Sequence, residues 1–198
     1  MRPLYGLVLA GGRSTRMGQD KAALLYGDAP QLETAYRRLR AVVEEAFVSV
    51  RQDQRDDPLR AGFPQIVDAP DTFGPAAGLL AAHAACPDVA WLVLACDLPL
   101  LDDGTLETLI AARDGTRMAI AYRSEHDGLP EPLCTLWEPA GLEALKAQRA
   151  AGRNCPRKCL LNIDTLLLPP HTPGALDNIN TPQEREDALR RLETTCRA

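Results

Sequence analysis

The stretch LYGLVLAGGRSTRMGQDKAALL (Leu4–Leu25) carries the decisive pattern. Its first seven residues, Leu4 to Ala10, form a short, almost uninterrupted apolar run, which reads as a strand buried on both faces of a parallel sheet. Two glycines follow at once, and then Arg13, Arg16 and Lys21. In open α/β sheets ligands collect at the carboxyl ends of strands, so the loop after a first strand is where an anion is expected. Gly11 and Gly12 let the backbone approach such an anion closely, with successive amides aimed at it. The spacing excludes two familiar phosphate loops. A P-loop needs four residues between its glycines and a Gly-Lys-Ser/Thr ending, whereas Lys21 stands three residues past Gly18 and is followed by Ala22. A dinucleotide fingerprint needs Gly-x-Gly-x-x-Gly, which Gly11, Gly12 and Gly18 do not provide.

Outward from this stretch, strand-like runs alternate with helical ones, as in a mostly parallel α/β sheet. Apolar residues at Leu32, Ala35, Leu39, Val42, Val43 and Ala46 predict a helix over 32–46, followed by a strand at Phe47–Val50. RQDQRDDP (51–58) reads as a polar loop. Strands are expected at Gln65–Val67, Trp91–Ala95, Met118–Tyr122 and Leu133–Trp137, and helices at Ala76–Ala85, Gly141–Ala150 and Thr181–Leu192. LPPHTPGALDN (168–178) reads as a loop returning the chain to the site. There are no internal repeats, and 198 residues suit one core, so residues 1–198 are read as a single domain.

The chain is 45% hydrophobic and 25% charged, with a net charge of −5. That balance fits a globular protein, and the acidity argues against nucleic acid or an anionic membrane as a partner. No apolar run approaches the roughly 20 residues of a membrane helix. Leu4–Ala10 is at the lower limit for a secretion signal and contains Gly6, so a cytoplasmic location is expected. Cys86, Cys96, Cys134, Cys155, Cys159 and Cys196 are scattered and read as reduced thiols; Cys155 and Cys159 lack a second pair to complete a zinc site. The histidines, at 83, 126 and 171, share no ligand-like spacing.

LAGGRSTRMGQDKAAL (9–24) resembles the signature of the molybdenum cofactor guanylyltransferase family and its close relatives. The similarity continues in VDAPDTFGPAAGL (67–79), LACDLPLLD (94–102) and NINTPQE (178–184). It implies a Rossmann-like three-layer α/β sandwich of the nucleotidyltransferase (GT-A) type. It further implies transfer of a nucleotidyl group from a nucleoside triphosphate to a phosphate acceptor, with release of pyrophosphate. Carried onto this chain, Leu9, Ala10, Gly11 and Gly12 would hold the nucleotide, Arg16 and Lys21 would contact its phosphates, and Asp68 would touch the nucleotide. Asp97, at the end of a buried run, would be a catalytic ligand for Mg2+, which takes one or two protein oxygens and completes its shell with phosphate and water. Asn180 matches a second metal-side position, but Asn180 or Thr181 also suits the cap of the last helix, with Pro182 in its first turn. Asp102 or Asp103 reads as a cap of a further helix. Trp91 and Trp137 read as packing residues.

Two departures from the family pattern bear on substrate. Arg51 stands where guanylyltransferases carry a nucleotide-holding asparagine, and Glu131-Pro132 stands where a histidine-proline pair is common on the acceptor side. The segment KCLLNIDTLLL (158–168) also departs from the pattern. The resemblance favours GTP as donor, with CTP possible, and molybdopterin or its molybdenum-loaded form as acceptor. A cytidylyltransferase, a transferase with another phosphorylated acceptor, a non-catalytic nucleotide carrier and an NAD-dependent dehydrogenase remain as alternatives, the last lacking its glycine fingerprint.

Overall fold

The fold was taken from a computed structural model that describes residues 1–12, 19–69 and 72–195. Arg16, expected to contact phosphates, falls outside the described residues, as do Arg13 and Cys196.

Seven strands form one sheet: β1 (Leu4–Leu9), β2 (Glu45–Val50), β3 (Gln65–Val67), β4 (Ala90–Ala95), β5 (Ala119–Arg123), β6 (Pro130–Trp137) and β7 (Thr165–Leu168). Their order is β3-β2-β1-β4-β6-β5-β7. β6 is antiparallel to both its neighbours, and every other pairing is parallel. This is the mostly parallel α/β sheet that the alternating runs predict.

Six helices pack on the sheet or complete its edges: α1 (Gln31–Val42), α2 (Pro75–Ala85), α3 (Asp103–Ala111), α4 (Pro139–Ala150), α5 (Pro156–Leu160) and α6 (Pro182–Thr195). The strands alternate their side chains between two cores, as period-two geometry requires. Val8, Leu92 and Leu94 meet Leu32 and Leu39 of α1 and Leu106 and Leu109 of α3. Leu7, Trp91 and Val93 meet Leu79 of α2, Leu142 and Leu145 of α4 and Leu160 of α5. All six residues of β4 are buried, which explains why its sequence is continuously apolar. Trp91 and Trp137 are opposed across the β4–β6 ladder and have no solvent exposure, so both are packing residues. None of the described helices is long and apolar enough to cross a membrane.

The structure corrects several boundaries. α1 stops at Val42, and Ala46 belongs to β2, paired with Gly6. Ala46 lies on the helical period and is buried, but Val43 is extended and the β-branched pair Val42-Val43 favours leaving the helix. α5 and β7 were not expected. Both come from 156–168, where helix and strand are too short for periodicity to separate them. α3 was signalled only by its cap, and Asp102 is indeed that cap, its side chain accepting from the Thr105 amide at 2.7 Å.

α2 starts at Gly74, whose φ of 73° suits glycine, with Pro75 in the first turn. One turn on, Gly78 lets the helix press against the sheet. A β-carbon there would lie 2.3 Å from Ser49 Oγ and 2.8 Å from Leu9 Cδ2. The two terms for Gly78→Ala oppose each other. Helix propensity gains about 1 kcal/mol, whereas overpacking costs about 1–3 kcal/mol. Net destabilisation of up to about 2 kcal/mol is expected, measurable by urea denaturation; a stabilised variant would mean that the β1–β2 surface gives way easily.

Candidate active site

β2 and β3 follow β1 on one side, and β4 then crosses to the other side of β1, so the strand order reverses between β1 and β4. Leu9 is paired with Ala95, which sets the glycine turn after β1 beside the Cys96-Asp97 turn after β4. A hydrogen bond donated by the Cys96 amide to the Leu9 carbonyl, 3.2 Å, extends the pairing past the strand ends. A cleft of about 1050 Å³ opens here. Its walls include Leu9–Gly12, Lys21, Arg51, Asp68, Gly74, Pro75, Asp97 and Asn180, and Phe73 stands exposed on its rim. Every described residue expected at the nucleotide or metal therefore lies on one cavity, and the amino end of α2, with its positive dipole end, faces the same space.

Lys21 is held by its turn. Asp20 caps the short 3-10 turn Lys21–Ala23, accepting from the Ala22 amide at 3.1 Å. The Lys21 ammonium then reaches Asp97 Oδ2 at 2.9 Å and Asn180 Oδ1 at 2.7 Å. The chain near Asn180 is tied to β4 by the Ile179 amide, which donates to the Asp97 carbonyl at 3.1 Å. Arg185 of α6 also donates to the Leu25 carbonyl, joining the segments that bear Asn180 and Lys21.

The alternatives for the last helix are resolved by its hydrogen bonds. Thr181 Oγ1 accepts from the Glu184 amide at 3.2 Å, and Glu184 accepts in return from the Thr181 amide at 3.1 Å. This is a capping box, so Thr181 does the capping and Asn180 is free to turn its amide oxygen to the cleft. The Asn180 side-chain nitrogen donates to the Asn178 carbonyl, which sets that orientation.

On the opposite wall, Ser49 donates to Asp68 Oδ1 at 2.6 Å. Burial pushes the Asp68 carboxyl above the ordinary aspartate value, against the opposing pull of Ser49 and Arg51. Arg51 donates to the Gly11 carbonyl and, at 3.3 Å, to the Gly12 carbonyl, while Asp53 holds its guanidinium through two 2.9 Å bonds. These bonds brace the glycine turn. Glu131, expected on the acceptor side, is paired with Arg157 and lines a separate, very small cavity; on β6 it is Leu133 that reaches the large cleft. Cys96 borders the cleft but is no nucleophile, since burial pushes its thiol up to about 12. The other described cysteines are free thiols, with Cys155 exposed and Cys159 buried. Ser49 and Arg60 were not anticipated. Ser49 is an ordinary strand residue in sequence, and Arg60 lies in a charged segment that reads as a solvated loop.

The model of the MobA-like NTP transferase domain matches residues 6–165. The chain belongs to that family. It is a nucleotidyltransferase, so the carrier and dehydrogenase readings fall. A molybdenum cofactor guanylyltransferase of Pseudomonas fluorescens is 31% identical, over 91% of this chain and 91% of that protein. The molybdenum cofactor biosynthesis bifunctional protein of Synechocystis is 36% identical over 92% of this chain, which spans about half of that longer protein, 52%. Among solved structures, molybdopterin-guanine dinucleotide biosynthesis protein A of Archaeoglobus fulgidus superposes with a TM-score of 0.80 at 20% identity, covering 96% of this chain and 99% of that one, and so shares the fold.

The raised Asp68 value makes a prediction with a definite sign. Its charged form is disfavoured in the folded protein, so the folded state is penalised once pH rises past the ordinary aspartate range. Asp68→Asn should raise the melting temperature at pH 7, and the difference should vanish in acid, where both side chains are neutral. A pH series of thermal melts measures this; equal melting temperatures at neutral pH would show that Ser49 and Arg51 fully offset the burial.

Proposed function

We propose that this enzyme transfers a guanylyl group from GTP to the terminal phosphate of molybdopterin or its molybdenum-loaded form, yielding a dinucleotide cofactor. The observation that carries the reading is the meeting of Lys21, Asp97 and Asn180 beside the glycine turn, at the point where the strand order reverses. The names of the relatives support the acceptor and the base. The reading takes residues 1–198 as one catalytic domain, acting in the cytoplasm.

In the proposed reaction an acceptor phosphate oxygen attacks the α-phosphorus in line, a new P–O bond forms, and the bond to the bridging oxygen breaks. Pyrophosphate leaves with the electron pair. Leu9–Gly12 cradle the triphosphate, and the amino end of α2 adds amide dipoles to the same cavity. Lys21, with Arg16, neutralises charge as it develops on the leaving phosphates, where a preorganised cation has most effect. Asp68 and Arg51 act on the nucleoside side, Asp68 as an acceptor and Arg51 by holding the Gly11 and Gly12 carbonyls. No side-chain nucleophile is needed, because positioning and charge neutralisation lower the barrier.

The donor set also fits Mg2+. Asp97 offers a carboxylate and Asn180 an amide oxygen toward a common point, 2.9 Å and 2.7 Å from one ammonium nitrogen. Mg2+ at a triphosphate takes one or two protein oxygens and completes its shell with phosphate and water. When bound, Mg2+ would supply Lewis-acid neutralisation of the phosphate oxygens. Asp97 and Asn180 would hold it, and Lys21 would exchange these partners for phosphate.

Pyrophosphate release with Mg2+, molybdopterin with and without molybdate, and GTP, CTP, ATP or UTP in parallel tests the proposal. GTP should dominate. Preference for CTP would assign a cytidylyltransferase, the alternative left open by Arg51 in the asparagine position, and no release with any pair would refute this acceptor. Lys21→Ala should lower turnover by about 100-fold or more with the fold intact, and Asp97→Ala should abolish it. Near-normal rates in either variant would remove that residue from the mechanism.

A further inference from the structure

Arg60 is a buried cation that the cleft does not use. Its side chain is 1% exposed, and it does not line the cavity. An arginine stays charged in proteins, so burying one demands compensation. Asp20 provides it at 2.7 Å from Nη2 and Asp57 at 3.2 Å from Nη1. Nη2 also donates to the Ala10 carbonyl at 3.2 Å, while Nε has no partner among the described residues. A buried guanidinium with an unsatisfied N–H is a poor solution for stability alone.

The placement of those bonds gives it a use. Ala10 ends the run out of β1, and Asp20 is the residue before Lys21. One nitrogen therefore grips both ends of the glycine- and arginine-bearing segment. Asp20 is fully engaged: one carboxylate oxygen caps the turn that carries Lys21, and the other meets Arg60. Arg60 itself is anchored, because its amide donates to the Asp57 carbonyl and its carbonyl accepts from Phe63 and Gln65. We infer that Arg60 is a positioning residue for nucleotidyl transfer, acting through Asp20 to hold the Lys21 ammonium at the metal-side end of the cleft. The inference rests on the transferase reading for its kinetic part only.

Full-chain R60M, R60K and D20N test it. Because small misplacement of a catalytic group is costly, R60M should lower kcat by about 10- to 100-fold while the nucleotide KM changes by less than about threefold. R60K keeps a charge without the fork and should recover part of the loss. D20N should resemble R60M, and the double variant should be no worse than the poorer single one, since the two residues act as one unit. A folded R60M with kcat within twofold of wild type overturns the role; if R60M does not fold, the same criterion applies to R60K and D20N. A second readout needs no turnover. Competitive acetylation followed by mass spectrometry, with exposed Lys146 as the internal standard, should show Lys21 several-fold more reactive in R60M or, failing that, in D20N. Equal reactivity overturns the inference. An inactive wild type would count against the transferase substrates, and the acetylation ratio would still decide Arg60.

Discussion

The parallel pairing of β1 with β4 is the constraint from which the site follows. The register that sets Leu9 beside Ala95 places two chain turns, distant in sequence, next to each other at the same edge of the sheet. One turn is made of glycines and one carries Asp97. Since both strands are buried on both faces, a slip by one residue would interchange the two cores and expose neither to water, so register must come from shape. Trp91 and the glycine-lined approaches to the sheet provide that shape: Gly78 accepts Ser49 and Leu9 at distances no side chain tolerates, and on the same face Trp91 packs against Tyr5 and Phe47. The packing that stabilises the sheet is thus also what aligns the reacting groups.

Electrostatics then divides the cleft. The protein is acidic overall, yet three of the described cations in and beside the cleft are held by carboxylates or carbonyls rather than left to solvent: Lys21 by Asp97, Arg60 by Asp20 and Asp57, Arg51 by Asp53 and the glycine carbonyls. Held cations have little side-chain entropy left to lose when an anionic ligand arrives. Asp68 shows the opposite balance, a carboxyl whose burial outweighs its partners. A cleft that spends stability on a half-buried carboxyl and gains rigidity from anchored cations has the trade expected of a binding surface.

How much of this was legible in the sequence depends on the distance over which each signal acts. β1, β4 and α2 are announced by local composition, and the Thr-x-x-Glu box at 181–184 is a local signal too. The glycine turn could be distinguished from other phosphate loops by spacing alone. Asn180 could not be separated from Thr181 as a cap, because the difference lies in a bond to Lys21, far away in the chain. Arg60 was invisible for the same reason. In RQDQRDDPLR it is one charge among many, and only the fold shows that this one is enclosed while Arg55 remains outside. The end of α1 was misread because Ala46 satisfies both a helical and a strand period.

The acceptor side illustrates the same limit from the other direction. β6 is the one strand that runs against its neighbours, so its beginning, not its end, lies at the edge where the cleft opens. The first half of the strand therefore lies on the side of the site, where Leu133 reaches the large cleft while Glu131, two residues earlier, is drawn to Arg157 beside the small cavity. A charged residue in an acceptor-facing segment is thereby removed from the cavity by a salt bridge, and an apolar one takes the wall.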